Sequence, residues 1–456
     1  MRVFSSGSRM TAFLAFQFLI SSLSLAQATQ VVEYPIKRVQ RSAPDSVVPT
    51  TIYNEQWIYT VEIAIGNPPQ KTLVQVDTGS AYLWVNANCS SAPTAFDQQK
   101  LCQSVPRYDP GASSSVEGPI GSRTLGYGSG EEVIGAIVDI YEDAVTVGNA
   151  KINTQRFGVA SNSLRLPVGI MGLGPVFNAT FDFREPYALV LDSLAVDNII
   201  ASRAYSLALG SASDEAGSLI FGGLDRGKFS GSLKKTPVVK SRDGGTRFTV
   251  NLSSIGIDAG NGTHRQYSLK DTNVHLDSGH TFSKLQTGLA EQIFQDLGAE
   301  LDQDLGFYLV DCKVRDHKGG VTFGFGGDKI ITVPFREFVY TAQGLCAVGL
   351  EPIKEGEQQV LGDSFLRAAY VVFDWDNEEI HVAQAANCSS EIVSIGRGSG
   401  AVPSVVGACR SNTTTSTTGS TASATGFPSS AGNLHVEKLQ FAATLATLLL
   451  FCLFAA

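Results

Sequence analysis

The sequence predicts an all-β dominated protein with two β lobes, related by an approximate twofold axis, around a central cleft. Three observations support this fold class. The 456 residues are enough for about two or three domains. With 46 glycines and only 17% charged residues, the composition is typical of a turn-rich, globular β protein. Finally, one short pattern occurs twice in similar surroundings, which indicates two equivalent halves.

The repeated pattern consists of a strand, an aspartate loop and a later apolar-apolar-glycine segment. Its first copy is residues 74–80 (VQVDTGS), followed by residues 170–172 (IMG). Its second copy is residues 274–280 (VHLDSGH), followed by residues 360–362 (VLG). In each copy, apolar residues alternate with polar ones before the aspartate, which predicts a strand that ends in the loop.

The two copies place Asp77 and Asp277 at equivalent positions, 200 residues apart. Two lobes related by a twofold axis would bring these loops together at their interface, where clefts commonly form. An isolated Asp-Thr-Gly is as often a surface turn, but two copies in matched order favour a paired site.

Other motifs follow in a fixed order, and together they resemble the pepsin-like aspartic protease family over about residues 52–388. They are Leu83-Trp84-Val85, Tyr108-Asp109-Pro110, Tyr127-Gly128-Ser129-Gly130, residues 218–223 (SLIFGG) and Phe373-Asp374. The C-terminal segments are similar to the yapsin branch of that family. The resemblance implies the bilobal pepsin-like fold and an aspartic endopeptidase that acts on proteins or peptides, with no cofactor. We expect a monomer.

Asp77 and Asp277 are therefore the expected catalytic residues. Amide hydrolysis without a covalent intermediate needs a base for the water and an acid for the carbonyl oxygen. Two carboxyl groups in contact supply both, because their mutual repulsion keeps one protonated, as pepsin itself illustrates. We expect one aspartate to act as general base and the other as general acid, with roles that exchange during turnover.

Neighbouring residues have supporting roles in this hypothesis. Gly79 and Gly279 let backbone approach the carboxylates, and the hydroxyls of Thr78 and Ser278 hydrogen-bond across the loops. Ser80 offers its hydroxyl to Asp77. By resemblance, a flap over the substrate contains the substrate-binding residues Tyr127, Gly128 and Ser129. An ordinary tyrosine in a glycine-rich hairpin is the alternative interpretation.

His280 departs from the family pattern, which usually has Thr or Ser at this position. One interpretation makes it a tolerated hydrogen-bond donor in the same place. In the other, a protonated His280 favours the ionised form of Asp277 and shifts the acidic limb of activity to lower pH.

Two other classes of function compete with an active protease. His280 could have disabled the aspartate pair and left a peptide-binding pseudoenzyme, or the chain could be a non-enzymatic surface glycoprotein. The net charge of -9 argues against binding to nucleic acid. The six histidines show no metal-binding spacing, so we expect no metal site.

The termini have the composition of targeting and processing segments. We expect a signal peptide over residues 1–28 and a short propeptide over 29–46, with a dibasic site at Lys37-Arg38. The N-terminal lobe then spans 47–206 and the C-terminal lobe 207–388. A Ser/Thr-rich stalk over 389–432 and a GPI-attachment signal over 433–456 follow, with Ser430 as the candidate attachment residue. These segments predict a secreted protein bound to the cell surface or wall through a lipid anchor.

Cysteines and glycosylation motifs fit this oxidising compartment. Six cysteines remain after removal of the tail with Cys452, and they allow 15 pairings. Nearness in sequence favours Cys89 with Cys102, Cys312 with Cys346, and Cys388 with Cys409. The candidate glycosylation sites are Asn88, Asn178, Asn251, Asn261, Asn387 and Asn412.

Overall fold

The computed structural model describes residues 32–38, 58–92, 96–128, 134–175, 188–214, 216–241, 247–342 and 344–409. Strands dominate these residues, which confirms the all-β dominated fold class. The strands of the first half are β1 Val32–Arg38, β2 Tyr59–Ile65, β3 Gln70–Asp77, β4 Leu83–Val85, β5 Glu117–Tyr127, β6 Ile134–Val147, β7 Ala150–Leu164, β8 Gly169–Gly172, β9 Ala204–Ala208 and β10 Ala216–Phe221.

The second half continues with shorter strands. They are β11 Gly223–Asp225, β12 Phe229–Pro237, β13 Thr249–Asp258, β14 His264–Gln266, β15 Asn273–Leu276, β16 Ser283–Gln286, β17 Glu300–Asp302, β18 Phe307–Leu309, β19 Gly320–Phe325, β20 Lys329–Pro334, β21 Val339–Ala342, β22 Leu345–Val348, β23 Leu350–Ile353, β24 Gln359–Leu361, β25 Ala369–Asp374, β26 Glu379–Ala385 and β27 Ile392–Ser394.

Helices are short and lie between strands. In the described residues the α-helices are α1 Phe96–Ser104, α2 Val190–Val196, α3 Thr287–Leu297, α4 Phe335–Phe338 and α5 Asp363–Leu366. Helix α3 packs its apolar side inward and ends at Gly298, whose positive φ of 67° is typical of a left-handed C-terminal cap.

Each lobe builds its aspartate loop in the same way. In the N-terminal lobe, β3 pairs in parallel with β8, so that Asp77 lies opposite Gly172. In the C-terminal lobe, β15 pairs in parallel with β24, so that Leu276 lies opposite Leu361. The strands predicted before each aspartate and the two apolar-apolar-glycine segments are thus neighbours in space, and all four are buried.

A continuous sheet joins the lobes. Its thirteen described strands run in the order β12-β26-β25-β9-β10-β1-β2-β3-β8-β4-β7-β6-β5. An eight-stranded sheet in the C-terminal lobe runs β20-β19-β13-β15-β24-β16-β23, with β14 paired to β13. The lobe boundary expected between residues 206 and 207 falls inside β9. This boundary is wrong because β9 pairs with both β10 and β25 and belongs to the joining sheet.

The segment after Cys388 is folded as far as Cys409, so a stalk that begins at residue 389 is also wrong. Strand β27 pairs with β11, and the Cys388–Cys409 disulfide closes the segment. Its Ile395 and Val402 are buried in a cluster with Phe229. The burial of these apolar side chains holds the segment against the C-terminal lobe, although most of its other residues are polar.

The main core extends through both lobes. It joins Val76 and Phe157 of the N-terminal half to Phe323 and Phe373 of the C-terminal half, with Tyr205 between them. Tyr205 stacks on Phe373 with ring centroids 4.9 Å apart. The two aspartate loops therefore rest on one continuous apolar base, which fixes their relative position.

Candidate active site

Asp77 and Asp277 lie side by side where the two lobes meet. Asp77 ends β3, and Asp277 directly follows β15. Their carboxyl groups are close enough to interact directly with each other. Both side chains are buried, with residue exposures of 1% and 5%. The structure thus brings together the two aspartates of the repeated motif.

The loops hold the two carboxylates with matching hydrogen bonds. The Gly79 amide donates to Asp77 Oδ1 over 2.7 Å, and the Gly279 amide donates to Asp277 Oδ1 over 2.8 Å. The other oxygen of Asp77 accepts from the Ser80 hydroxyl. At the equivalent place, His280 Nδ1 lies 3.1 Å from Asp277 Oδ2. Because a carboxylate can only accept, Nδ1 carries the hydrogen whenever Asp277 is ionised.

Thr78 and Ser278 tie the loops to each other. The Ser278 amide donates to Thr78 Oγ1 over 2.9 Å, and the Thr78 amide donates to Ser278 Oγ over 3.1 Å. Each hydroxyl also donates to a carbonyl of the opposite strand, at Leu276 and Val76 respectively, over 2.9 Å. The cross-loop hydrogen bonds expected for this pair are therefore present.

The two carboxyl groups have opposite pKa shifts. Burial raises the pKa of Asp77, and the negative charge of Asp277 raises it further. Burial also acts to raise the pKa of Asp277, but the hydrogen bond and charge of His280 hold it below its ordinary value. The pair titrates as a unit and holds a single proton through the acid range.

Three further residues border this site, and the motif analysis missed them. Gln75 donates to the Gly279 carbonyl over 3.3 Å. His275 Nε2 lies 3.9 Å from Asp277 Oδ2. Tyr205 is buried, and the charges of both aspartates add to the effect of burial in raising its pKa. Side chains two residues apart in a strand share a face, and this rule could have revealed Gln75 and His275, because each lies two residues before its aspartate.

Comparison with known proteins decides the family. A model described as "Eukaryotic aspartyl protease" matches residues 58–385. The chain belongs to the eukaryotic aspartyl protease family. It is 31% identical over 400 residues to "Probable aspartic-type endopeptidase opsB" of Aspergillus oryzae, a match that covers 84% of this chain and 80% of the relative. It is 34% identical over 380 residues to "Secreted aspartic protease 5" of Candida albicans, covering 80% and 85%.

Membership in the aspartyl protease family confirms the resemblance to the pepsin-like aspartic proteases and makes the protein a hydrolase of the aspartic endopeptidase type. "Secreted aspartic protease 1" of Candida albicans is a further relative, 34% identical over 367 residues, with 77% of this chain and 86% of the relative covered. The family's substrates are proteins.

The hairpin expected as the flap of this aspartyl protease is formed by β5 and β6. Tyr127 ends β5, opposite Ile134, and its side chain is half-buried. The Trp84 indole donates to the Tyr127 hydroxyl over 2.7 Å, and Trp84 is fully buried. Gly128 follows with a φ of 76°, and Ser129 lies outside the described residues.

The cysteines pair as nearness in sequence favoured. Disulfides join Cys89 to Cys102, Cys312 to Cys346, and Cys388 to Cys409. Among the glycosylation candidates, Asn251, Asn261 and Asn387 are exposed, and Asn88 is half-buried. Asn178, Asn412 and the anchor candidate Ser430 lie outside the described residues, as do the signal peptide and the GPI-attachment signal.

One group of potential metal ligands occurs in the described part of the chain, away from the aspartate pair. Asp374, Glu379 and His381 place donor atoms within 4.8 Å of one another on the β25–β26 hairpin. Asp374 already accepts two hydrogen bonds from Asn377, and Glu379 pairs with Lys235. These acceptors are therefore engaged within the protein.

The described residues contain no helix with both the length and the apolar character needed to cross a bilayer.

Proposed function

We propose that this protein is an endopeptidase that cuts peptide bonds in proteins at acidic pH through a water activated by Asp77 and Asp277. One observation carries the proposal. The two carboxyl groups lie together, buried, in loops whose hydrogen bonds match. A buried pair that shares one proton is the arrangement that supplies a base and an acid together.

The chemistry follows from the protonation of the pair. The ionised carboxylate accepts a proton from the attacking water, while the protonated partner donates to the oxygen of the scissile carbonyl. Both groups are held by backbone amides, so little reorganisation is needed when charge moves between them. The cross-loop bonds of Thr78 and Ser278 maintain the contact while substrate binds.

In this proposal Tyr127 acts from the β5–β6 hairpin as part of a flap over the substrate. The hydrogen bond from the buried Trp84 supports its hydroxyl from behind. A hairpin that closes over bound peptide excludes water and strengthens the electrostatic interactions of the carboxyl pair. Gly128 and Ser129 follow Tyr127 in the sequence, and in this proposal they contact substrate through the backbone.

The dyad hypothesis is tested with the secreted chain and a mixed pool of peptides at acidic pH. We expect Asp77→Asn to lose cleavage, and Asp197→Asn to retain it because Asp197 is exposed at the C-terminal end of α2. If the wild-type protein binds peptides but cuts none, the pseudoenzyme with His280 against Asp277 replaces this proposal. Cleavage by the Asp77→Asn protein would refute the dyad.

We further propose that the mature protein is a glycoprotein held at the cell surface by a GPI anchor at Ser430. The Ser/Thr-rich residues 410–432 would form the stalk, and the pro-segment would end near Lys37-Arg38. The support is the order of small residues, polar spacer and apolar tail at the C-terminus. Phospholipase specific for phosphatidylinositol should release the protein from cells, and retention after this treatment would contradict the anchor.

A further inference from the structure

The two aspartates have different partners at two equivalent positions. Three residues after the aspartate, Asp77 has a serine, Ser80, whereas Asp277 has His280. Two residues before it, Asp77 has Gln75 and Asp277 has His275. The N-terminal loop therefore uses groups that stay neutral, and the C-terminal loop uses two imidazoles that can carry positive charge.

Both imidazoles approach the same oxygen. His280 Nδ1 is 3.1 Å and His275 Nε2 is 3.9 Å from Asp277 Oδ2. The two histidines are 7% and 2% exposed, so water screens their interaction with the carboxylate weakly. His275 also interacts with the Phe248 backbone, which is uncharged. Asp277 Oδ2 is thus the nearest anionic acceptor for both rings.

Charged and titratable groups on the surrounding elements oppose protonation of the imidazoles. Lys284 of β16 acts on His280, and Arg247, just before β13, acts on His275. Burial, the larger effect in each case, lowers the pKa of His280 and lowers that of His275 to about 4. Glu351 of β23 lies beside Lys284, and Tyr205 of β9 faces the aspartates. Asp277 supplies the negative charge that favours protonation of both imidazoles.

We propose that His280, with His275 behind it, is a positioning residue that places the negative charge of the resting pair on Asp277 and the shared proton on Asp77. This inference rests on the proposed function of the pair and adds the direction of its proton transfer. Asp277 is then the base that accepts the proton of the water, and Asp77 is the acid that protonates the carbonyl oxygen. The charge on the imidazoles maintains this state as the pH falls.

The first test measures where the charge lies, without using activity. The secreted chain is labelled with ¹⁵N in its histidine rings, and His275→Gln and His280→Ser assign the two signals. Asp277→Asn should lower the pKa of both imidazoles, because it removes an anion. Asp77→Asn should leave them nearly unchanged, because it replaces a neutral acid. Equal shifts in the two variants, or the opposite order, would overturn the proposal.

The second test compares pH profiles of kcat/KM. His280→Ser copies the N-terminal loop and keeps a hydroxyl donor, whereas His280→Gln keeps a neutral N–H donor. We expect the acidic limb to move to higher pH by about one unit in both variants, since loss of a nearby cation raises the pKa of Asp277. The alkaline limb should stay in place, because His280 is neutral there. A Gln variant with the wild-type acidic limb would show that a neutral donor suffices and would overturn the proposal.

Failure of this inference can be told apart from failure of the proposed function. If the Asp77→Asn protein cleaves peptides as fast as wild type, the dyad hypothesis fails. If cleavage depends on both aspartates while the histidine titrations respond equally to both replacements, only the assignment of charge to Asp277 fails.

Discussion

Thr78 and Ser278 are hydrogen-bonded to each other's backbone, although they lie 200 residues apart in sequence and in different lobes. Each accepts from the partner's amide and donates to a carbonyl of the partner's strand. All these groups are buried, so their hydrogen bonds have no water to replace them. The loops therefore fix the separation of the two aspartates through their own contacts.

Replacing Thr78 by Val keeps the shape of the side chain but leaves the Ser278 amide and the Leu276 carbonyl without this partner. We expect the free energy of unfolding to fall by about 2 kcal/mol, and kcat to fall with it. Ser278→Ala should have a similar effect. The double variant should lose less free energy of unfolding than the two single variants together, because both changes weaken the same contact between the loops. Denaturant unfolding of the four proteins measures this coupling, and strictly additive losses would contradict it.

Tyr127→Phe removes the acceptor of the Trp84 indole while it keeps the aromatic ring in the hairpin. A buried donor without a partner costs about 1–3 kcal/mol, so we expect kcat/KM to fall by roughly tenfold. Tyr308→Phe is the matched control, because Tyr308 stacks on Phe294 in the C-terminal lobe. Steady-state kinetics on one peptide measures kcat/KM of both variants. Equal losses in Tyr127→Phe and Tyr308→Phe would argue against a role for Tyr127 in the site.

The sequence predicted the aspartate loops well because the residues that build them are local. An alternating strand, an aspartate and a glycine follow one another within a few positions, and the duplication gave an independent second copy. The same local logic found the three disulfides. Gln75 and His275 were missed although each lies two residues before its aspartate on the same strand face, because the contacts that give them a role are seen only in the folded protein.

The segment 389–409 was assigned to the stalk on its average composition. Its fold depends instead on a few apolar residues, Ile395, Ala401 and Val402, that pack against Phe229 and Tyr370. The predicted pairing of Cys388 with Cys409 already enclosed this segment and could have indicated that it is folded. The lobe boundary within β9 was beyond sequence reasoning, because strand pairing across the lobes decides it.

His275 should make the protein less stable in acid. Its pKa is lowered to about 4 by burial, against an ordinary value of 6.5, so the fold favours the neutral ring. The contribution of His275 to the free energy of unfolding is fully present above pH 6.5. This contribution is lost as the pH falls towards 4, by about 3 kcal/mol for a shift of this size. In His275→Gln this loss should disappear, whereas His264→Gln, at an exposed site, should retain it. Unfolding free energies at pH 7 and pH 4 measure the difference, and the same pH dependence in both variants would contradict it.

Gly79 is the position at which a single methyl group should separate the aspartates. A Cβ atom there would lie 2.3 Å from Asp277 Oδ2, and one on Gly279 would lie 2.6 Å from Asp77 Oδ1. Both distances are far below van der Waals contact, so Gly79→Ala must displace the carboxylate. Because a shift of about 1 Å in a catalytic group can cost 100-fold, we expect at least that loss in kcat. Gly288→Ala is the control, since it meets nothing within 4 Å and lies in α3, where alanine favours the helix. If Gly79→Ala keeps full kcat, the contact between the carboxyl groups does not set the rate.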